Sequence, residues 1–141
     1  MPAASTREWL AAHPPPDSAF TQTLELVSRR VRAGEDLRFA VREFLDEFDL
    51  LPRQGLRAGA LRARPHPAGE RTDAYLGALA EHLAATRGLE RPDWAVERGR
   101  FLDRFWFVSE VQGFRALAIA QSPAAFRRRG IFIAEGALQR V

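Results

Sequence analysis

Apolar residues recur along this chain at three- and four-residue steps, in segments that end at proline or glycine. This spacing is typical of amphipathic α-helices. The clearest case is a pair of segments on either side of Gly34, whose apolar positions are Phe20, Leu24, Val27 and Val31 in the first, and Leu37, Ala40, Val41, Phe44, Leu45 and Phe48 in the second. Asp17 or Ser18 can cap the first helix, and the second is expected from about Asp36 to Asp49. Together they predict a helical hairpin.

Local start and stop signals predict further helices before and after this hairpin. Ser5-Thr6-Arg7-Glu8 is a capping box, so a short helix should follow it to about His13, where three consecutive prolines stop it. A longer helix is expected from near Thr72 to about Arg87. Gly88 should end this helix, and Gly34 should end the first helix of the hairpin at a left-handed cap.

The C-terminal third carries the same kind of signals more densely. Pro92 can open a short helix around Asp93 to Glu97, and Ser109-Glu110-Val111-Gln112 is a second capping box. Ser122-Pro123 combines a cap with a first-turn proline, and the short helix that follows should end at Gly130. We expect Phe126 of this helix to face inward.

Two segments do not have a helical pattern. Residues 53–69 contain three glycines, two prolines and four arginines without a sustained period, which predicts an irregular loop over about residues 52–70. Ile131-Phe132-Ile133 is strand-like but too short to support a sheet alone. The sequence therefore predicts a mainly α fold over 1–141, a single helical domain of about six helices with at most one short β element near 131–133.

Composition excludes several classes of protein. The chain has 141 residues, no cysteine and a net charge of only +3, and every one of its 21 basic residues is arginine. No run approaches the ~18 apolar residues of a membrane span, and the first residues lack the apolar core of a signal peptide. We therefore expect a cytoplasmic protein with no membrane association, no disulfide and no thiolate metal site.

No set of residues in the sequence forms a recognisable catalytic or cofactor site. The three histidines, His13, His66 and His82, are not spaced as paired ligands on one helical face, so we predict no metal and no cofactor. Ser109 and Ser122 are better explained as helix caps than as nucleophiles. An enzymatic role would have to use Glu43, Glu47 or His82, of which the two glutamates lie one helical turn apart.

Two clusters near the C-terminus are candidates for contact with a partner. Phe105-Trp106-Phe107 are three adjacent aromatic residues that cannot all face inward from one strand or helix, so one of them should lie at the surface or at an interface. The second cluster is Arg127-Arg128-Arg129, which can contact acidic groups or stabilise the carboxyl end of its own helix. We predict Trp106, Phe107, Arg127, Arg128 and Arg129 as partner-binding residues.

The residue pattern of this tail resembles that of a known group of proteins. The order Pro92-x-Trp94, then Phe101 to Phe107, then Ser122-Pro123-x-x-Phe126-Arg127-Arg128-Arg129-Gly130-Ile131-Phe132-Ile133 is similar to a tail in small proteins of high-GC bacteria. Some of these carry it behind a helix-turn-helix domain, and several are antitoxin-like or regulator-like. The similarity covers the tail module 92–141 and implies no catalytic residue.

The resemblance and the absence of catalytic motifs predict a non-enzymatic interaction protein, an antitoxin-like or regulatory partner of another bacterial protein. The alternative is a nucleic-acid-binding transcriptional regulator that contacts phosphates through Arg53, Arg57, Arg62 and Arg64, together with Arg127, Arg128 and Arg129. The hairpin at Gly34 is the only candidate reader of DNA, and its second helix is acidic, which is the wrong sign for a DNA groove.

Overall fold

The computed structural model describes residues 5–13, 16–108, 118–119, 121–133 and 138. These residues contain six α-helices and two short strands, so the prediction of a mainly α fold is confirmed. In chain order the elements are α1 (Thr6–Ala12), α2 (Leu24–Arg32), α3 (Leu37–Leu50), α4 (Gln54–Arg62), α5 (Glu70–Arg87), β1 (Trp106–Phe107), α6 (Ala124–Arg127) and β2 (Ile131–Phe132). Short 3-10 turns cover Asp17–Ala19, Asp93–Val96 and Arg98–Arg100.

Side chains near each helix start explain where the first three helices begin. Both bonds of the Ser5–Glu8 capping box are present, at 3.1 and 3.0 Å. The carboxylate of Asp36 caps α3 as expected. The prediction that Asp17 or Ser18 starts α2 was wrong: Thr23 caps this helix at 3.0 Å, and residues 17–19 form a separate 3-10 turn.

Helix α4 corrects the prediction of an irregular loop over 52–70. Two glycines in nine residues lower the intrinsic helix propensity, which conceals the helix in the sequence. Tertiary contacts compensate, because Ala60 and Leu61 are buried and the side-chain amide of Gln54 donates to the backbone carbonyl of Arg87 at 2.7 Å. Within this segment, residues 52–53 and 63–69 lack helix and strand.

Helix α5 is the centre of the fold. Its side chains from Ala74 to Ala80 are almost completely buried, and it packs against α2, α6 and the 3-10 turns that follow it. Gly77 permits the closest of these approaches, since a Cβ there would lie 2.9 Å from the carbonyl oxygen of Ala95 and from Cβ of Arg100. Helix α5 ends at Gly88, as predicted, and this glycine has a left-handed conformation.

The two strands form a small parallel sheet, with Trp106 beside Ile131 and Phe107 beside Phe132. The amide of Trp106 donates to the carbonyl of Gly130 at 2.8 Å, and Gly130 has a φ of +78°. The strand predicted near 131–133 is therefore present at Ile131–Phe132, and its partner comes from the aromatic triplet.

Ser122 does not cap α6, contrary to the prediction. Pro123 holds the cap position, while the Ser122 hydroxyl accepts the amide of Ile133 at 2.8 Å and lies 2.5 Å from the carbonyl oxygen of Ala118. It therefore ties the chain on both sides of α6 together. Phe126 is fully buried, as predicted. The second capping box, at 109–112, lies outside the described residues.

None of the helices in the described part of the chain combines the length and the apolar character needed to cross a bilayer.

A candidate protein-interaction surface

Three phenylalanine side chains pack together on one side of the small sheet, where Phe105 is exposed, Phe107 is half-buried and Phe132 is buried. Phe105 and Phe107 are two residues apart, so they project to the same side of the extended chain at β1. Phe105 packs edge-on against Phe132 with ring centroids 5.4 Å apart, and Phe107 stacks on Phe132 at 5.0 Å. The Phe105 ring has 75% of its surface exposed, the highest fraction of the large apolar residues that are exposed in the described part of the chain. We call Phe105, Phe107 and Phe132 the aromatic surface.

Trp106 points to the opposite side of the sheet, toward the core. Its ring lies 6.2 Å from that of Tyr75 on α5, and the guanidinium carbon of Arg71 lies 5.2 Å from its centroid. Burial raises the pKa of Tyr75 to about 12, which shows how closely this side of the sheet is packed. Trp106 is therefore half-buried and fixes β1 to α5, whereas Phe105 supplies most of the exposed area on the other side.

Two exposed arginines are close in sequence to the aromatic residues. Arg104 directly precedes Phe105, and Arg127 is four residues before β2. Asp103 is an exposed acidic residue in the same stretch. Arg71, in contrast, sits over the Trp106 ring and so lies on the opposite side of the sheet.

The three consecutive arginines have different environments. Arg127 and Arg128 are exposed, but Arg129 has a relative exposure of 1%. Its guanidinium donates to the carbonyls of Ala125 at 2.9 Å and Ala95 at 2.6 Å, and it pairs with the carboxylate of Glu81. Arg129 therefore connects α6 to α5 and to the 3-10 turn at 93–96. Its assignment to a partner surface was wrong.

Glu81 on α5 is the shared acceptor of this cluster. Burial alone would raise its pKa, but hydrogen bonds and charge from Arg129 and Arg128 outweigh this effect, so the pKa of Glu81 lies below its ordinary value. Burial lowers the pKa of Arg129, and the bond to Glu81 opposes that change. The cluster is an internal ion pair with one exposed member, Arg128, whose side chain is 53% exposed.

The four arginines between positions 53 and 64 that were assigned to nucleic-acid binding are mostly engaged within the chain. Arg53 pairs with Asp17, and Arg64 makes a bidentate pair with Glu97 at 2.8 Å for both bonds. Arg57 donates to the side chain of Gln54 at 3.1 Å.

Arg62 faces a separate groove that also contains acidic side chains. The ion pairs of Arg53 and Arg64 and the hydrogen bond of Arg57 reduce the positive charge that is available to phosphate groups.

The residues considered for catalysis are also held by structural contacts. Glu43 pairs with Arg30 at 2.7 Å, and the carboxylate of Glu47 accepts the backbone amides of Thr21 and Gln22. Burial, and then the charge of Arg87, lower the pKa of His82, which packs against Phe126 at 6.1 Å. Glu43 and Glu47 therefore do not form a common cation site, and the described residues contain no group of three or more potential metal ligands.

Comparison with known protein families, curated proteins and solved structures finds no match to this chain. The resemblance of the tail therefore stays a prediction.

Phe105 and Phe132 were not among the residues predicted to bind a partner. The two-residue alternation of an extended segment could have separated Phe105 and Phe107 from Trp106. The contribution of Phe132 depends on strand pairing across 25 residues, Phe107 to Phe132, and has no local signal.

Proposed function

We propose that this chain is a non-enzymatic interaction protein that binds another bacterial protein through the aromatic surface. The observation that carries the proposal is the 75% exposure of Phe105, which leaves most of a large apolar ring in water. An exposed aromatic ring that packs on neighbouring aromatic rings is a candidate binding site, because aromatic residues are enriched at the centre of interfaces. The ring contacts with Phe132 hold Phe105 in place before binding, which reduces the entropy lost when a partner docks.

The charges near the aromatic surface support a partner of particular chemistry. Arg104 and Arg127, which are exposed and close in sequence to the aromatic residues, would lie at the rim of the interface, where complementary charges accelerate encounter and select the partner. The partner surface should therefore combine an apolar centre with acidic residues around it. Arg128 can extend this rim, although it also pairs with Glu81.

An antitoxin-like or regulatory role is the specific form of this proposal. The segments that carry the resemblance, Phe101 to Phe107 and Ser122 to Ile133, also supply the three rings of the aromatic surface. A tail shared with antitoxin-like proteins would then be shared because it presents the binding surface. The pairing of Arg53 and Arg64 with acidic side chains gives no support to the alternative of a nucleic-acid-binding regulator.

The proposal is tested by co-purification of the tagged full chain from its native host, with two matched variants. Phe105→Ser removes the exposed ring of the aromatic surface. Phe39→Ser removes a ring that is 53% exposed on α3, outside that surface. We expect the wild type and Phe39→Ser to recover the same partner in stoichiometric amount, and Phe105→Ser to recover much less of it.

Two results would count against the proposal. Recovery of a monomer with no stoichiometric partner by the wild type contradicts an interaction protein. If the two variants recover equal amounts of the partner, the chain is still an interaction protein, but the aromatic surface is not its binding site. Mixing purified partner and chain in a calorimeter then distinguishes direct from indirect association.

A further inference from the structure

A groove lies between α4 and the segment that follows α5, on different residues from the aromatic surface. Ala58 and Arg62 line it from α4, and residues 90–94 line it from the other side. Its volume is about 370 Å³. This lies within the range of about 300–1,000 Å³ for sites that bind small molecules.

Trp94 gives the groove a fixed floor. The indole is 5% exposed, and its N–H donates to the carbonyl of Leu61 at 3.0 Å. The guanidinium carbon of Arg100 lies 5.0 Å from the ring centroid and holds the ring in place. Pro92 and Ala58 add rigid or short apolar groups beside it, so the floor is formed before any ligand arrives.

The two walls carry opposite charges that do not pair with each other. Arg62 is exposed on the α4 wall, and Glu90 and Asp93 are exposed on the other wall. Throughout the part of the chain that the structure describes, none of these three side chains has a hydrogen bond or an ion pair. The neighbouring arginines Arg53 and Arg64, in contrast, both have acidic partners.

Arg91, the fourth charged residue that lines the groove, also pairs with a residue outside it. Arg91 lies 3.9 Å from the carboxylate of Glu81, the acceptor that Arg128 and Arg129 also use. The charges left for a ligand are therefore one cation on α4 and two carboxylates across the groove. A phosphate or other simple anion would meet Glu90 and Asp93, and a simple amine would meet Arg62, so a ligand of either sign alone is disfavoured.

We propose that this groove binds a small zwitterion of the amino-acid class with an apolar side chain. Its carboxylate pairs with Arg62, because guanidinium groups bind carboxylates with two parallel hydrogen bonds. Its ammonium group lies between Glu90 and Asp93, and its side chain rests on Pro92 and Trp94. This site is independent of the aromatic surface, so failure of either proposal leaves the other standing.

Isothermal titration calorimetry on the full chain compares three probes that share a phenyl ring and differ in the charged groups they carry. Phenylalanine carries both charges, phenethylamine lacks the carboxylate, and 3-phenylpropanoate lacks the ammonium group. We expect phenylalanine to bind roughly tenfold or more tightly than either analogue, since each analogue loses charged hydrogen bonds and leaves one wall unpaired.

Variants assign each charge of the ligand to a wall. In Arg62→Gln, phenylalanine should bind no better than phenethylamine, because the carboxylate has lost its partner. In the double variant Glu90→Gln with Asp93→Asn, phenylalanine should bind no better than 3-phenylpropanoate, because the ammonium group has lost its partners. Arg38→Gln is the control, since this α3 arginine is 70% exposed and outside the groove, and its affinity for phenylalanine should equal that of the wild type.

Three outcomes would overturn the proposal. The first is no measurable binding of phenylalanine, and the second is binding of an analogue as tight as that of phenylalanine. The third is an Arg62→Gln variant that behaves like Arg38→Gln. All of the substituted side chains are exposed and none is part of the core, so the thermal unfolding of each variant should match that of the wild type. A loss of binding then reflects the missing charged group and not unfolding of the variant.

Discussion

Replacing Arg129 by methionine should destabilise the protein far more than the same replacement of Arg128. The two residues are adjacent and both contact Glu81, but the Arg129 side chain is fully buried and that of Arg128 is 53% exposed. Methionine keeps much of the apolar stem of arginine and removes its charge and donors. The comparison therefore isolates the effect of burial on two chemically identical groups.

The contacts of Arg129 set the expected size of the effect. Its guanidinium donates to the carbonyls of Ala125 and Ala95 as well as to Glu81, and all three acceptors lose a donor in Arg129→Met. Breaking a buried ion pair by removing one partner costs about 3–5 kcal/mol. An exposed pair is worth only about 0.2–1 kcal/mol, so Arg128→Met should cost less than about 1 kcal/mol.

Urea unfolding followed by circular dichroism measures both free energies. The larger loss is a substantial part of the roughly 5–15 kcal/mol that stabilises a typical domain, and should lower the melting temperature by roughly 10 °C. Adding Glu81→Gln to each variant gives the coupling energy, which we expect to be larger for Arg129 than for Arg128. Equal losses in the two single variants would refute the assignment of Arg129 as a structural residue.

Three further predictions follow from the helices around α5. Gly77→Ala should cost about 1–3 kcal/mol because its methyl group would overlap the carbonyl of Ala95, whereas Gly59→Ala, with open space around it, should stabilise α4 by about 0.5–1 kcal/mol. Urea unfolding of both variants checks the difference in sign. Phe126→Ala should cost about 3–5 kcal/mol through lost burial and a residual cavity, and a loss below that of Arg128→Met would contradict it. His82 has a folded pKa below its unfolded value, so the folded state binds fewer protons and the stability that His82 contributes falls as the pH drops through about 6.5. His82→Gln should therefore flatten the dependence of the unfolding free energy on pH just below 6.5, and an unchanged slope would show that His82 does not cause it.

Helix limits could be predicted where the signal lies within a few residues of the helix end. The capping box at Ser5, the start of α3 near Asp36 and the end of α5 at Gly88 are examples, because each depends on hydrogen bonds or backbone angles within one turn. The three errors, at the start of α2, over α4 and at Ser122 before α6, arise where contacts from elsewhere in the chain compete with the local signal. Local preference there is weak or divided, and buried contacts such as those of Ala60 and Leu61 decide the outcome.

The candidate sites could be predicted only in part for a related reason. Composition indicated that the aromatic triplet and the arginines were unusual, but not which members were exposed. Phe105 and Trp106 are separated by the two sides of a strand whose partner is 25 residues away, and the walls of the groove come from α4 and the segment after α5.

The sequence by itself determined that the chain is mainly helical, approximately where α1, α3 and α5 start and stop, and that Phe126 faces inward. These properties depend on periodicity and on contacts between residues within about four positions of each other. Only the tertiary structure decided that Arg129 is buried while Arg128 is exposed. The deciding partner, Glu81, is 48 residues from Arg129, and no local pattern distinguishes one arginine from the next.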